Sequence, residues 1–269
     1  MNLAFSTLGC PNWKIDQMLA AACASGYQGV ELRFYAGSRD LLTTLPDFPG
    51  GVSAFRRRFD DAGVKICCLD SSVVLSLPET DLAAGQLWID LARALGAPYV
   101  RVFGGDQPDG VSAEDWLKAA GEKLGAMGER AAEHGLRILV ETHDGFCSSS
   151  LTARLLEAAG DTGTGVIWDL FHPWRTGETP SETLAAIGRI THHVHIKDGF
   201  AQEELNLLGE GKAPLRELLT KLHEIGYDGF LSFEWEKAWY PDLPDPEEAF
   251  PHGARYLRGL LRELGIPLG

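Results

Sequence analysis

Eight short runs of β-branched or apolar residues recur along the chain, each followed by a longer stretch with helical patterning. The runs cover residues 3–6, 29–33, 65–69, 99–103, 137–141, 165–169, 193–197 and 230–234. Alternation of this kind marks β/α units around a parallel sheet. Five runs follow a glycine, namely Gly26, Gly63, Gly96, Gly135 and Gly226, and glycine accepts the left-handed backbone that ends a helix. The repetition predicts an α/β protein folded as a (β/α)8 barrel. With 269 residues and 45% hydrophobic content, the chain can bury one large core, and barrels of this size commonly remain one domain. Residues 1–269 are therefore read as a single domain.

Helical patterns fill residues 14–25, 52–62, 81–95, 112–134, 148–159, 181–188, 213–225 and 246–264. Ser112 and Ser181 are the expected N-caps of two of them, because a side-chain oxygen there can accept from free backbone N–H groups. The irregular stretches 36–51 and 237–245 carry Gly or Pro and are expected as loops near the barrel mouth, placed to cover a ligand.

The formal net charge of −14, with no Lys/Arg run to offset it, repels phosphate backbones and anionic lipid surfaces. Neither nucleic acid nor membrane is an expected partner. The opening MNLAFSTLGC has no basic segment ahead of a long apolar stretch, and no run of roughly 18 apolar residues occurs anywhere. A cytoplasmic protein is expected. The five cysteines lack framework spacing, and Cys67 and Cys68 point to opposite faces if their segment is a strand. They read as reduced, packed thiols.

The chemistry concentrates at the ends of the last four strand runs. RILVE ends in Glu141, GVIWD ends in Asp169, HVHIKD places His195 late in its run, and FLSFE ends in Glu234. These residues are 28, 26 and 39 apart, each about one β/α unit, and the carboxyl ends of barrel strands form the face where catalytic groups collect. One carboxylate after a strand is more often a helix cap or loop acid. Four residues in succession point instead to one divalent metal. Oxygen donors with a single imidazole suit Mn²⁺ or Mg²⁺, which are favoured here, and also Co²⁺ or Zn²⁺; no thiolate cluster supports a structural zinc site.

With VETHDG, WDLFH, HVHIKDG, the later LLGEGKAPL and LSFEWE in place, nearly the whole chain resembles the xylose isomerase-like TIM-barrel family of sugar isomerases and epimerases. The resemblance implies a Glu/Asp/His/Glu metal site at Glu141, Asp169, His195 and Glu234. It also implies that Glu141 and Glu234 act as the acid/base pair of a ketose epimerase or isomerase. The physics agrees, since a carbon acid beside a carbonyl needs a metal to stabilise the developing enediolate and a carboxylate to take the proton. The family's D-x-x-H arrangement makes His172 a contact to a substrate oxygen. Cys147 and Ala201 stand where ketose 3-epimerases carry a glutamate and an arginine. The resemblance is thus closer to the branch that includes inositol-catabolism isomerases and dehydratases.

Parity with His195 turns Lys197 toward the mouth, and parity with Glu141 does the same for His143. Arg33 and Arg101 end their runs near the same face and can bind an anionic substrate group; Arg33 can equally neutralise Glu31. Trp13 can stack on an apolar sugar face. His193 is read as structural, Trp168 and Trp235 as packing, and Glu236 with Lys237 as a local salt bridge or part of the pocket rim. Trp174 and Trp239 are loop residues able to line a pocket. The Gly209-Glu210-Gly211 turn is read as a tight turn, not a phosphate site.

The expected partner is a small sugar or polyol, and a homo-oligomer is compatible with that reading. Three rival functions stand beside this one. A keto-inositol dehydratase begins with the same proton abstraction. An AP-endonuclease-like nuclease would need histidines on the second and third strands, whereas the first histidine here is His134. A non-catalytic sugar-binding barrel would not need both glutamates.

Overall fold

The computed structural model describes residues 1–201 and 204–269. Parallel strands β1 (Asn2–Ser6), β2 (Gly29–Leu32), β3 (Lys65–Val74), β4 (Tyr99–Phe103), β5 (Arg137–Glu141), β6 (Thr164–Asp169), β7 (Thr191–Ile196) and β8 (Phe230–Phe233) close into a barrel in chain order. The closure is made by β1, which pairs with β8 on one side and β2 on the other. Around it lie α1 (Ile15–Ser25), α2 (Gly51–Ala62), α3 (Leu82–Leu95), α4 (Ala113–Ala132), α5 (Ser149–Ala159), α6 (Pro180–Ile187), α7 (Leu215–Glu224) and α8 (Pro246–Glu263). The glycines that precede five of the strands, Gly26, Gly63, Gly96, Gly135 and Gly226, have φ between 67° and 75°, as their role in ending helices requires.

Side chains two residues apart share a strand face, and this splits the strands into two environments. The outward faces meet the helices in one large apolar core. In it Phe250 of α8 stacks on Phe5 of β1 at 4.3 Å, and Tyr27 donates from its hydroxyl to the Phe250 carbonyl at 2.8 Å. Inward-facing Cys68, Leu139 and Ile167 form a small apolar layer of their own. Cys67, by contrast, faces the helices beside Phe59 and Leu95. Toward the carboxyl ends of the strands the interior turns polar, with Glu31, Asp70, Arg101, Glu141, Asp169 and His195 all buried. The backbones of α4 and α5 approach closely, since a Cβ at Gly125 would sit 2.4 Å from the carbonyl oxygen of Ala159.

Three local differences from the sequence expectation have physical causes. The third strand runs past its expected end at Leu69 to Val74, through Asp70, Ser71 and Ser72; the Ser71 hydroxyl donates to the Arg101 carbonyl at 2.5 Å. Helix α6 is capped by Thr179, not Ser181: the Thr179 hydroxyl accepts from Glu182 N, the Glu182 carboxylate accepts from Thr179 N, and Pro180 takes the first turn. Residues 36–51 include a short helix, Leu41–Thr44. Among the described residues no helix is long and apolar enough to cross a membrane.

Candidate metal centre and active site

Strands β5 to β8 bring Glu141, Asp169, His195 and Glu234 to one buried point, where one ligand atom from each lies within 4.8 Å of all the others. His195 Nδ1 sits between the two glutamates, 3.0 Å from Glu141 Oε1 and 3.4 Å from Glu234 Oε1. Its other nitrogen, Nε2, is 3.0 Å from Glu31 Oε1, while the second oxygen of Glu31 bonds to His193 Nε2. Glu31 is thereby fixed by two histidines and turns the imidazole so that Nδ1 faces the cluster, the arrangement that orients a metal-binding histidine. Asp169 is fixed in a different way. Its Oδ1 accepts from Phe171 N at 2.8 Å and His172 N at 3.2 Å, capping the short helix Phe171–Arg175, and its Oδ2 lies 2.9 Å from Lys197 Nζ. Three buried carboxylates and one imidazole converging on one point make a hard, oxygen-rich donor set. The donor set therefore fits a divalent ion.

The charges around the cluster are balanced by neighbours. Burial opposes the charge on Glu141, but His195 and Arg101 outweigh it and hold the carboxyl well below its ordinary range; Arg101 Nη1 is 2.6 Å from Glu141 Oε2. Burial likewise disfavours a charged His195, yet Glu234, Glu31 and Glu141 together raise its pKa well above 6.5. Lys197, fully buried, is kept charged by Asp169 at 2.9 Å, Glu234 at 2.5 Å and Glu236 at 2.6 Å.

Above the cluster lies a cavity of about 550 Å³, large enough for a sugar-sized ligand. Glu141, Glu234, Lys197, His172, His143, Arg101 and Arg33 all line it. The ring of His172 meets that of His143 edge-on at 4.7 Å, and neither nitrogen of His172 has a hydrogen-bond partner. Burial, then Lys197 and His143, push the pKa of His172 well below 6.5, so it is a neutral ring free to meet a substrate hydroxyl. His143 is bonded through Nδ1 to Asp144 at 2.6 Å. Burial lowers its pKa, but Asp144 and Glu141 raise it further. Asp144 itself has φ of 48°, a strained backbone of the kind that collects at functional sites.

Several sequence expectations are corrected. Trp13 does not line this cavity; it is buried, with its ring edge-on to Phe250 at 5.6 Å. Its apolar surface packs α8 onto the barrel instead of meeting a sugar. Arg33 does not neutralise Glu31, because Glu31 is committed to His193 and His195. Glu236 pairs with Lys197, not with Lys237, which reaches Asp245 at 3.0 Å. Trp174 belongs to the short helix after β6 and packs on Phe171, whereas Trp239 does line the cavity. Asp70 escaped the sequence reading altogether. It is buried 4.0 Å from the Arg101 guanidinium, and its only sequence signal is a polar residue continuing an apolar strand run.

The Gly209-Glu210-Gly211 turn is closed from within. Asp198 accepts backbone N–H bonds from Gly199, Gly209, Gly211 and Ala213 at 2.8–3.1 Å. A Cβ at Gly211 would lie 2.1 Å from Asp198 Oδ1, so only glycine allows the carboxylate so near.

Comparison with known proteins agrees with this architecture. The model of the xylose isomerase-like TIM barrel matches residues 19–260. A Streptomyces coelicolor protein provisionally named a hydroxypyruvate isomerase is 27% identical over 266 residues, covering 89% of this chain and 91% of its own. An inosose dehydratase of Klebsiella pneumoniae is 26% identical over 290 residues, covering 93% and 91%. The crystal structure of the zinc-bound IOLI protein superposes with a TM-score of 0.82 at 18% identity over 98% of this chain and 99% of that one; at that identity the likeness is one of fold.

Proposed function

Because the chain belongs to the xylose isomerase-like TIM-barrel family, we propose that it is a divalent-metal-dependent isomerase or epimerase of a small sugar, keto-polyol or related carbohydrate. The observation that carries this reading is the pair of buried glutamates, Glu141 and Glu234, flanking His195 Nδ1 at the floor of an open cavity. Glu141, Asp169, His195 and Glu234 are the residues that would hold the ion, with Mn²⁺ or Mg²⁺ preferred by their oxygen-rich set and Co²⁺ or Zn²⁺ also accommodated. When bound, the ion supplies positive charge to the carbonyl oxygen on which negative charge develops.

The rest of the work falls to the protein. Glu141, held as a carboxylate by His195 and Arg101 against its burial, is a base at neutral pH. Glu234, from the next-but-two strand, approaches the same point with Lys197 on its Oε2. Two carboxylates on opposite sides of one carbon invert it by removing and returning a proton; one carboxylate that carries the proton to the neighbouring carbon interconverts aldose and ketose. The open nitrogens of His172 hold a hydroxyl of the substrate. Dehydration, the reaction named for the Klebsiella relative, begins alike but requires an acid over the departing hydroxyl. A neutral His172 is not such an acid, but the charged Lys197 and His143, whose pKa is raised, line the same cavity and keep dehydration as the alternative.

The test is a panel of ketoses, aldoses, keto-inositols and their phosphates incubated in D₂O with Mn²⁺-loaded protein, scored for deuterium uptake and product. Glu141→Gln and Glu234→Gln should each lower exchange at least ~100-fold, with metal content measured alongside. Full exchange by either variant would refute the proton-transfer assignment.

A further inference from the structure

We propose that Arg33 is the anchor of an anion subsite and that the substrate carries a carboxylate group seated on it. The inference rests on the isomerase reading only for the position of the reacting carbon. Arg33 follows β2, is only 5% exposed, and lines the cavity above the metal centre. Its guanidinium is anchored from one nitrogen alone: Nη1 donates to the carbonyls of Asp70 and Ser71 at 3.3 and 3.1 Å and to the Ser72 hydroxyl at 2.8 Å. The backbone is anchored too, with Arg33 N and Phe34 N both donating to Thr7 Oγ1 at 2.8 Å. The Nε–Nη2 edge is left without a protein partner among the described residues.

Every other cation deep in the site is matched. Arg101 is matched by Glu141 and faces Asp70, and Lys197 holds Asp169, Glu234 and Glu236. Arg33 has only neutral acceptors, and no carboxylate of the described residues lies at ion-pairing distance from it. Burial and the like charge of Arg101 pull its pKa down to about 10, against the more distant Asp70 and Glu141, so it stays charged at neutral pH without a carboxylate in contact. Burying a charge without one is costly, and an anionic ligand removes the cost. The two parallel donors of the open edge match one planar carboxylate. A phosphate would call on further donors, and the backbone amides of the Gly209 to Gly211 turn are already taken by Asp198.

The experiment compares wild type with Arg33→Gln and Arg33→Lys, before and after Mn²⁺ loading. Calorimetry measures binding of glycerate, glycerol and glycerol 3-phosphate, and deuterium exchange in D₂O compares hydroxypyruvate with uncharged dihydroxyacetone. Glycerate should bind wild type in preference to both other probes and bind Arg33→Gln about 10- to 100-fold more weakly, with Arg33→Lys between them. The loss in exchange should be about tenfold or more larger for hydroxypyruvate, through KM, than for dihydroxyacetone. Equal glycerate binding by wild type and Arg33→Gln, or wild-type binding of glycerol or glycerol 3-phosphate as tight as that of glycerate, overturns the proposal. The wild-type comparison decides this even if the variants fold poorly. Absence of exchange with these probes and with every compound of the sugar panel would sink the isomerase reading, and the glycerate measurements would still judge the subsite.

Discussion

His195 shows how much one residue's surroundings decide. Three glutamates raise its pKa well above 6.5 although burial lowers it, and only the neutral imidazole can bind a metal. Each ion must therefore displace a proton at any pH below that raised value. Metal affinity should climb up to tenfold per pH unit from about 6.5 upward, measured by chelator competition across a pH series; a flat profile would contradict His195 as a ligand. Glu31→Gln, which slackens the grip on the ring without removing a ligand, should weaken metal binding about 10- to 100-fold. That Glu141, Asp169, His195 and Glu234 come together was legible in the sequence because each closes or nearly closes an apolar run. The roles of Glu31 and Asp70 were not, because their meaning lies in partners far along the chain, and Glu236 lines the cavity as the rim reading allowed but pairs with a residue that reading did not name. Glu31 meets His193 across 162 residues, and Lys197 meets Glu236 across 39. Trp13 shows the reverse error: a large aromatic just after a strand looks available, but a helix more than two hundred residues later covers it.

At the scale of elements, the strand–helix alternation was readable to within a residue or two, because glycine marks where helices end. The differences come from polar residues doing backbone work. Ser71 and Ser72 tie the lengthened end of β3 to its neighbours through side-chain bonds that no hydropathy pattern reports. The start of α6 was misplaced because two hydroxyl residues, Thr179 and Ser181, competed for the cap, and only Thr179 has a glutamate three residues on. Thr179→Ala should cost about 1 kcal/mol of stability, read from urea denaturation, while Ser181→Ala should be nearly neutral. Equal effects would contradict the assigned cap.

For the whole molecule, the buried groups set how stability follows pH. His172 is neutral in the folded protein because burial, Lys197 and His143 hold its pKa well below 6.5. The unfolded chain takes up a proton near pH 6.5 that the folded one refuses. His172 therefore makes no demand on stability above that pH and reduces it as pH falls below, by up to ~1.4 kcal/mol per pH unit. His172→Gln should flatten the fall in urea midpoint between about pH 6.5 and 5.5; an unchanged slope would argue against a neutral ring. The closing of the barrel depends on α8, whose Phe250 stacks on Phe5 of β1 and contacts Trp13 and Phe233. Phe250→Ala should cost about 3–5 kcal/mol, visible as a lowered thermal midpoint. The fold places the proposed metal ligands on β5 to β8 and the guanidinium groups of Arg33 and Arg101 after β2 and on β4. Such a barrel divides its inheritance: one half can be conserved as a reaction while the other drifts toward new clients. Directed evolution that randomises only the loops and strand ends of the first half should therefore trade one substrate for another without first having to rebuild the chemistry.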